Sequence, residues 1–391
     1  MRCPWLHGFW ALFLGTALVM SLTVETTASP SRTVETAASS LRTSETAARK
    51  TENVILVTID GLRWQEVFSG ADESLMTKEA GGLTDVDATT QKYWRDTPEK
   101  RREALMPFVW SVVAGQGQLF GNQSAGSTAR VTNGHNFSYP GYNELLTGAP
   151  DPRIDSNDKK PNPNVTVLEW LNAKPELHDR VGAFCTWDAF PFILNRQRSR
   201  LFVNAGLEPF DEPELTDRQK LLNDLQRETS NAFEHHRPDS FTFQLGLEWM
   251  KRHKPRVLYF SFAETDEWAH AGRYDRVLDA AHEADAMLAE LWNVVQATDG
   301  YRGKTSLVVT TDHGRGDPPK DWKGHGAKVK GSEFIWIAAI GPDTPALGER
   351  TSGGVVLQGQ IAATVAALLG EDYRTSVPSA AAPIDELLSP R

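Results

Sequence analysis

Asp312 and His313 stand side by side where a β-branched run ends, in the stretch SLVVTTDHGRG at residues 306–316. A carboxylate beside an imidazole is a donor pair for a divalent ion of the zinc class, which takes nitrogen and oxygen ligands. The plainer role is an aspartate capping a helix next to a surface histidine. The same pattern recurs elsewhere in the chain. Asp60 follows the apolar run at 54–59 and precedes Gly61. Asp266 and His270 follow the run at 256–263, four residues apart, a spacing that turns both side chains to one point on a helical turn. His325 sits between Gly324 and Gly326. Three acids and three imidazoles at or just beyond strand ends suffice for two metal ions with open coordination positions, as a hydrolytic two-metal site requires.

A hydroxyl that could accompany them is that of Ser138, in Ser138-Tyr139-Pro140-Gly141-Tyr142 ahead of a helix-like 143–146 and Thr147-Gly148. A hydroxyl at the turn that opens a helix lies near outward-pointing backbone N–H groups, which favour an alkoxide or a bound anion. Its alternative role is that of a cap. The polar loop at 151–164 brings Arg153, Asn157, Lys159 and Lys160 close in sequence. Asn136-Phe137-Ser138 is also a glycosylation sequon, and Asn122 and Asn164 head two others. A glycan on Asn136 would crowd the hydroxyl, so Asn136 is expected to be bare, in keeping with a bacterial source.

The elements that must carry these residues follow from the apolar pattern. The run at 307–311 is apolar or nearly so on both faces, and with those at 54–59, 180–187, 256–263 and 334–340 it predicts strands of a buried, largely parallel sheet. Helices are expected at 108–114, 166–173, 241–253 and 359–369, and at 276–295, where Val277, Ala281, Ala284, Leu288, Leu291 and Val295 form one stripe. His282 lies off that stripe and is expected to be solvated. In open α/β sheets, ligands sit beyond the carboxyl ends of the strands, where the acids and histidines fall. The expected fold is therefore α/β, a central largely parallel sheet between helices. Residues 71–105 form a helical surface excursion, and 188–237, rich in aromatics and charges, an insertion or cap covering part of the site.

Composition narrows the function. Of the 391 residues, 40% are hydrophobic and 24% charged, in the range of globular proteins. A net charge of -10 argues against nucleic-acid binding, which wants a basic face. Cys3 and Cys185 permit neither a disulfide framework nor a cysteine metal site. Arg2, the apolar run at 9–22 and small residues at 27–29 have the order of a secretory signal peptide, expected at 1–28. The run is short for a bilayer, so no stable membrane insertion is expected after its removal. A decaying decamer repeat (TVETTASPSR, TVETAASSLR, TSETAARKTE) fills the polar linker at 29–52, ahead of a folded domain at 53–391. The expected location is the bacterial periplasm or the outside.

T-I-D-G, S-Y-P-G-Y followed by L-L-T-G, D-x-x-x-H, T-D-H-G and G-H-G occur here in the order seen in the alkaline phosphatase superfamily. The chain resembles most its type I phosphodiesterase/nucleotide pyrophosphatase branch, over roughly 53–340. The resemblance implies one metal on Asp60, Asp312 and His313, touching the nucleophile Ser138, and another on Asp266, His270 and His325. It implies Asn157 as a phosphate-binding residue, with Lys159, Arg130 and Lys160 as candidates for a cationic grip. The implied activity is two-metal hydrolysis of phosphoric esters through a phosphoseryl intermediate, on a small-molecule phosphate ester. The three histidines favour zinc, and the carboxylates also admit manganese. The pattern departs where these phosphodiesterases usually have threonine, an aromatic, proline, asparagine and histidine, since Ser138 is followed by Tyr139, Pro140, Gly141 and Tyr142. A sulfatase is the alternative, although Tyr142 stands where formylglycine maturation needs arginine. A metal-binding relative without activity is the third reading.

Overall fold

The structure is a computed structural model and describes residues 49–388. The signal peptide and nearly all of the linker expected from the sequence lie outside the described residues.

Among the described residues the strands are β1 (Asn53–Ile59), β2 (Gln118–Phe120), β3 (Thr128–Arg130), β4 (Val181–Cys185), β5 (Phe202–Ala205), β6 (Val257–Phe262), β7 (Thr305–Thr310), β8 (Phe334–Ile335), β9 (Ile337–Ile340), β10 (Gly348–Glu349) and β11 (Val355–Leu357). Eight make one sheet in the order β10-β2-β9-β7-β1-β6-β4-β5, and β11-β3-β8 make a small second sheet. In the large sheet only β9 runs against its neighbours. The fold is α/β, with a mostly parallel sheet of the alkaline phosphatase type. Along β1 the side chains alternate between two cores. Ile55, Val57 and Ile59 pack on one face and Val54 and Leu56 on the other, as the two-residue strand period demands. Burial on both faces is why the strand reads as an unbroken apolar run.

The helix at Tyr274–Ala297 covers one face with the expected stripe, every member of which is buried. The helices at Asp239–His253, Val167–Asn172 and Gln360–Leu368 also match their sequence signals. Residues 78–105 form three short helices, begun by side-chain caps from Thr77, Asp85 and Thr97.

Three expectations are changed by the structure. The apolar run at 334–340 is not one strand. Its central Trp336 is fully buried, its indole donates to the Leu62 carbonyl, and its own carbonyl accepts from Thr310 Oγ1 at 2.6 Å, so the chain changes sheets there. The segment at 188–237, expected as an insertion or cap, supplies the edge strand β5, parallel to β4. The helix at 108–114 contains a π-helical turn, Val109–Val113. Asp285 holds its start by accepting from the N–H groups of Phe108 (2.7 Å) and Val109 (2.9 Å).

Candidate metal centre and active site

β1 lies between β6 and β7, with Ile59 paired to Phe262 and Thr58 to Thr310. The three strands therefore end at one level, and their successors Asp60, Ala263 and Thr311 leave the sheet together. Asp60, Asp312 and His313 are buried there, with one donor atom of each within 4.8 Å of the others. His313 Nε2 lies 3.3 Å from Asp60 Oδ1 and 3.3 Å from Asp312 Oδ2. Its Nδ1 is 2.9 Å from the Gly314 carbonyl. A carbonyl can only accept, so Nδ1 carries the proton and Nε2 turns a lone pair inward. The Gly61 N–H donates to Asp312 Oδ1 at 3.2 Å, and Gly61 is left-handed at φ +59°.

The second group draws on the seven-residue helix Glu264–His270 and on the irregular segment around His325. On that helix the i,i+4 spacing sets His270 Nε2 3.1 Å from Asp266 Oδ2. His325 Nδ1 faces the Asn136 carbonyl at 3.1 Å, which again leaves Nε2 as the free donor. That Nε2 is 3.0 Å from His270 Nε2 and 3.8 Å from Asp266 Oδ1. His313 also belongs to this group. Its Nε2 is 3.8 Å from Asp266 Oδ1, its ring stacks on that of His325 at 4.0 Å, and Asp266, His313 and His325 form a second set of donors within 4.8 Å. The expected triad of Asp60, Asp312 and His313 is one compact donor set, and Asp266 and His325, with His270 beside them, also lie within reach of His313, which is common to both sets.

The donor chemistry fits cations. Asp60 Oδ1 and Asp312 Oδ2 are buried without a hydrogen-bond partner. Burial first, then the charge of Asp266, pushes the Asp60 carboxyl well above its ordinary range, and burial followed by Asp60 does the same to Asp312. Positive charge between them removes that conflict. Burial also acts to raise Asp266, but Arg315, then His270 and His325, hold it well below the usual carboxylate range. Burial and then His313 push His325 far below the ordinary imidazole value, so it is neutral and able to ligate.

Ser138 opens the helix Ser138–Thr147. The N-cap is Phe137, and no side chain makes a capping bond, so the serine hydroxyl is not used as a cap. Ser138 Oγ lies 3.5 Å from His313 Nε2, at the edge of hydrogen-bond reach. The helix meets the strand end closely, since a Cβ on Gly141 would come within 2.4 Å of the Asp312 carbonyl. Tyr142, from the next turn, donates to Asp60 Oδ2 at 2.9 Å. Buried Glu144 accepts from the N–H groups of Thr132 (2.8 Å) and Asn133 (2.9 Å), and so holds the loop whose Asn136 carbonyl supports His325.

A cavity of about 210 Å³ adjoins these groups, lined by Asp60, Ser138, Asn157, Trp187, His236, Asp266, Glu267, His270 and His325 among others. Asn157 Oδ1 accepts from the Tyr139 N–H at 3.0 Å, which leaves its amide donors for the cavity. Trp187, just ahead of the 188–237 segment, and His236, near its end, line the wall, and His236 Nδ1 is 3.4 Å from Glu267 Oε1. Lys159 does not line this cavity; its ammonium pairs with Asp188 at 2.7 Å. Lys160 pairs with Asp158 and Arg153 with Asp151, while Arg130 is exposed on β3. Asn136 is buried at φ +52°, with its amide donating to Ser332 Oγ at 3.2 Å. That geometry agrees with an unmodified side chain.

Three residues of the centre escape the sequence reading. Tyr142 enters the sequence pattern only where an arginine is missing and Glu144 not at all, although a glutamate directly before the apolar pair Leu145-Leu146 is a signal of a buried partner. The third, Arg315, lies two residues past His313 in D-H-G-R-G and bonds Asp266. A charged residue continuing a buried strand end was the available hint.

Residues 76–328 match the family described as type I phosphodiesterase / nucleotide pyrophosphatase. This is more than half of the chain, which belongs to that family of phosphoric ester hydrolases in the alkaline phosphatase superfamily. Of the donors described above, Asp60 alone precedes the matched residues. Among solved structures, a wild-type alkaline phosphatase, PafA, is similar at 11% identity and TM-score 0.55, covering 88% of this chain and 100% of its own. A phosphonate monoester hydrolase from Silicibacter pomeroyi is 13% identical at TM-score 0.53, covering 87% and 77%. A protein in the alkaline phosphatase superfamily from Vibrio parahaemolyticus is 13% identical at TM-score 0.50, covering 88% and 71%. At such identities the likeness is one of fold. No curated protein matches the sequence.

Proposed function

We propose that this protein hydrolyses small-molecule phosphoric esters with two divalent ions and Ser138 as nucleophile. The observation that carries the reading is the serine hydroxyl, free of any capping role and within 3.5 Å of the one imidazole common to both donor sets. Asp60, Asp312 and His313 would hold one ion, and Asp266, His270 and His325, with His313 alongside, the other. Zinc suits three imidazoles, and manganese suits the carboxylates. When bound, the ions would supply charge that stabilises a serine alkoxide, a departing oxygen and an attacking water.

The chain's own groups do the rest. Ser138 Oγ gives up its proton and attacks phosphorus in line, the bond to the leaving oxygen breaks and that oxygen takes up a proton as the alcohol departs; water then attacks the phosphoseryl group, a proton returns to Oγ, and phosphate (from a monoester) or a phosphate monoester (from a diester) is released. The helix behind Ser138 directs its N-terminal dipole at the phosphoryl oxygens. Asn157, its carbonyl oxygen occupied by Tyr139 N–H, offers its amide hydrogens to the same oxygens. Tyr142 stays a phenol, because burial and then Asp312 and Asp60 push its pKa well up, and it keeps donating to Asp60. The leader-like order at 1–28 supports export to the periplasm or beyond.

The test is a panel of nitrophenyl phosphate monoesters, diesters and sulfate with added zinc or manganese. Wild type should turn over a phosphate ester, and Ser138→Ala should lose at least about 10³-fold in kcat while still binding metal. Undiminished turnover by Ser138→Ala would refute the nucleophile. Turnover of the sulfate alone would make the protein a sulfatase, and metal binding without any turnover would make it a non-enzyme.

A further inference from the structure

Arg315 is almost fully buried and does not line the cavity, so it is not placed to grip a phosphoryl group. Its Nη2 bonds Asp266 Oδ1 and also donates to the Asp266 carbonyl at 3.1 Å. Its Nη1 donates to the Lys323 carbonyl at 2.6 Å, two residues before His325. Arg315 itself lies two residues after His313. One guanidinium thus joins the three segments that contribute Asp266, His313 and His325. Asp266 is its only ion-pair partner among the described residues. A buried guanidinium left without its carboxylate is costly, so the pair stays together.

The charge count separates the two donor sets. Asp60 and Asp312 bring two carboxylates to the first, with no cationic side chain bonded to either. Asp266 brings one to the second, already shared with Arg315. The second set therefore attracts a cation less through net charge and depends more on having its donors in place.

We propose that Arg315 is the positioning residue for the second ion. It fixes the Asp266 helix and the His325 segment against His313, so that this ion binds tightly only while the guanidinium bridges both. This rests on the two-metal reading above. Lysine cannot replace it, because one ammonium on a flexible stem lacks the planar fork that spans Asp266 and the Lys323 carbonyl.

The experiment titrates metal-free full-length protein with zinc, and separately with manganese, in a calorimeter, and follows thermal unfolding of the same samples. Wild type should bind two equivalents. Arg315→Met should keep the first within about threefold and weaken the second by about 10- to 100-fold, the range for loss of a group that orients ligands. Arg315→Lys should weaken the second ion as well, by less, and carries the test if the methionine variant does not fold. A purely structural role would lower the melting temperature and weaken both ions together. That result overturns the proposal, as does a second ion bound equally well or more tightly. Wild type that binds no ion at all overturns the two-metal reading itself, and this proposal with it.

Discussion

The two halves of the centre are built by different means. Asp60, Asp312 and His313 step off adjacent strands whose register sets their level, and all three are buried. Asp266 and His270 ride on a seven-residue helix and His325 on an irregular segment, with the His270 side chain 46% exposed. The first half is placed by the β1–β7 ladder. The second is placed by side chains: Arg315, the Asn136 carbonyl, and Asp239, whose carboxylate accepts from the N–H groups of Ala263 (2.9 Å) and Glu264 (3.1 Å) at the head of the helix. A ladder gives way only when the sheet does, whereas side-chain clamps can be released locally. The strand-borne half should therefore be the persistent one and the helix-borne half the exchangeable one.

The largest expected effect tests that ranking. Asp312→Asn removes a charge from a buried donor pair and should lower kcat by at least about 10³-fold, with loss of the tighter ion. His270→Asn, at the exposed rim, should cost about 10- to 100-fold and spare that ion. Metal content after dialysis, measured beside kcat, checks both. Dilute chelator should accordingly strip the wild type in two phases, with one ion leaving before the other. Equal losses in the two variants, or a single phase of release, would dissolve the distinction.

A smaller effect is expected where the halves touch. Gly61 follows the first acid at φ +59°, and a Cβ there would lie 2.5 Å from Asp266 Oδ1 and 3.0 Å from Arg315 Nε. Gly61→Ala must strain the backbone and push Asp266 away, which together should destabilise the fold by about 2–4 kcal/mol. Urea denaturation of the metal-free protein measures that cost, and metal titration should show the second ion weakened more than the first. A stable variant with both ions intact would mean that the junction has slack that the distances do not suggest.

The same division explains what could be read from the sequence. Strands β1, β6 and β7 are buried on both faces, and their uninterrupted apolar runs give away both the strands and the acids at their ends. Asp266 and His270 were legible through their spacing alone, because i and i+4 share a helix face. The sharing of His313 between the sets was not legible, because it depends on how far the His325 segment folds back over the strand end. Nor was the clamp role of Arg315, since nothing in D-H-G-R-G says that its side chain turns under the site to reach Asp266. The strand β5 inside 188–237 was hidden for a related reason. It is a four-residue edge strand whose Phe202 is only partly buried and whose Asn204 serves Arg237, so no apolar run announces it.

The smallest effect separates the centre from a buried acid outside it. Burial raises Asp285 to about 6, against hydrogen bonds from the Phe108 and Val109 N–H groups that act the other way. Its folded-state pKa thus exceeds the unfolded one, near 3.9. Between those values the folded chain holds a proton that the unfolded chain has released. Stability is then greatest below the unfolded value, falls as pH rises toward about 6, and is level above it, a change on the order of 2–3 kcal/mol at most. Asp60 and Asp312 are raised too, as are Glu144, Asp239, Glu264 and Glu267 outside the donor sets, so the metal-free protein should lose stability over the same rise in pH through several acids at once. Saturating metal, if held by Asp60 and Asp312 as proposed, would keep those two carboxylates ionised and should remove their share of the slope, while the share from Asp285 stays. Denaturant midpoints between pH 4 and 7, with and without metal, for wild type and Asp285→Asn, divide the slope into these parts. A slope in Asp285→Asn with metal that equals that of metal-loaded wild type would show that Asp285 is ionised throughout this range.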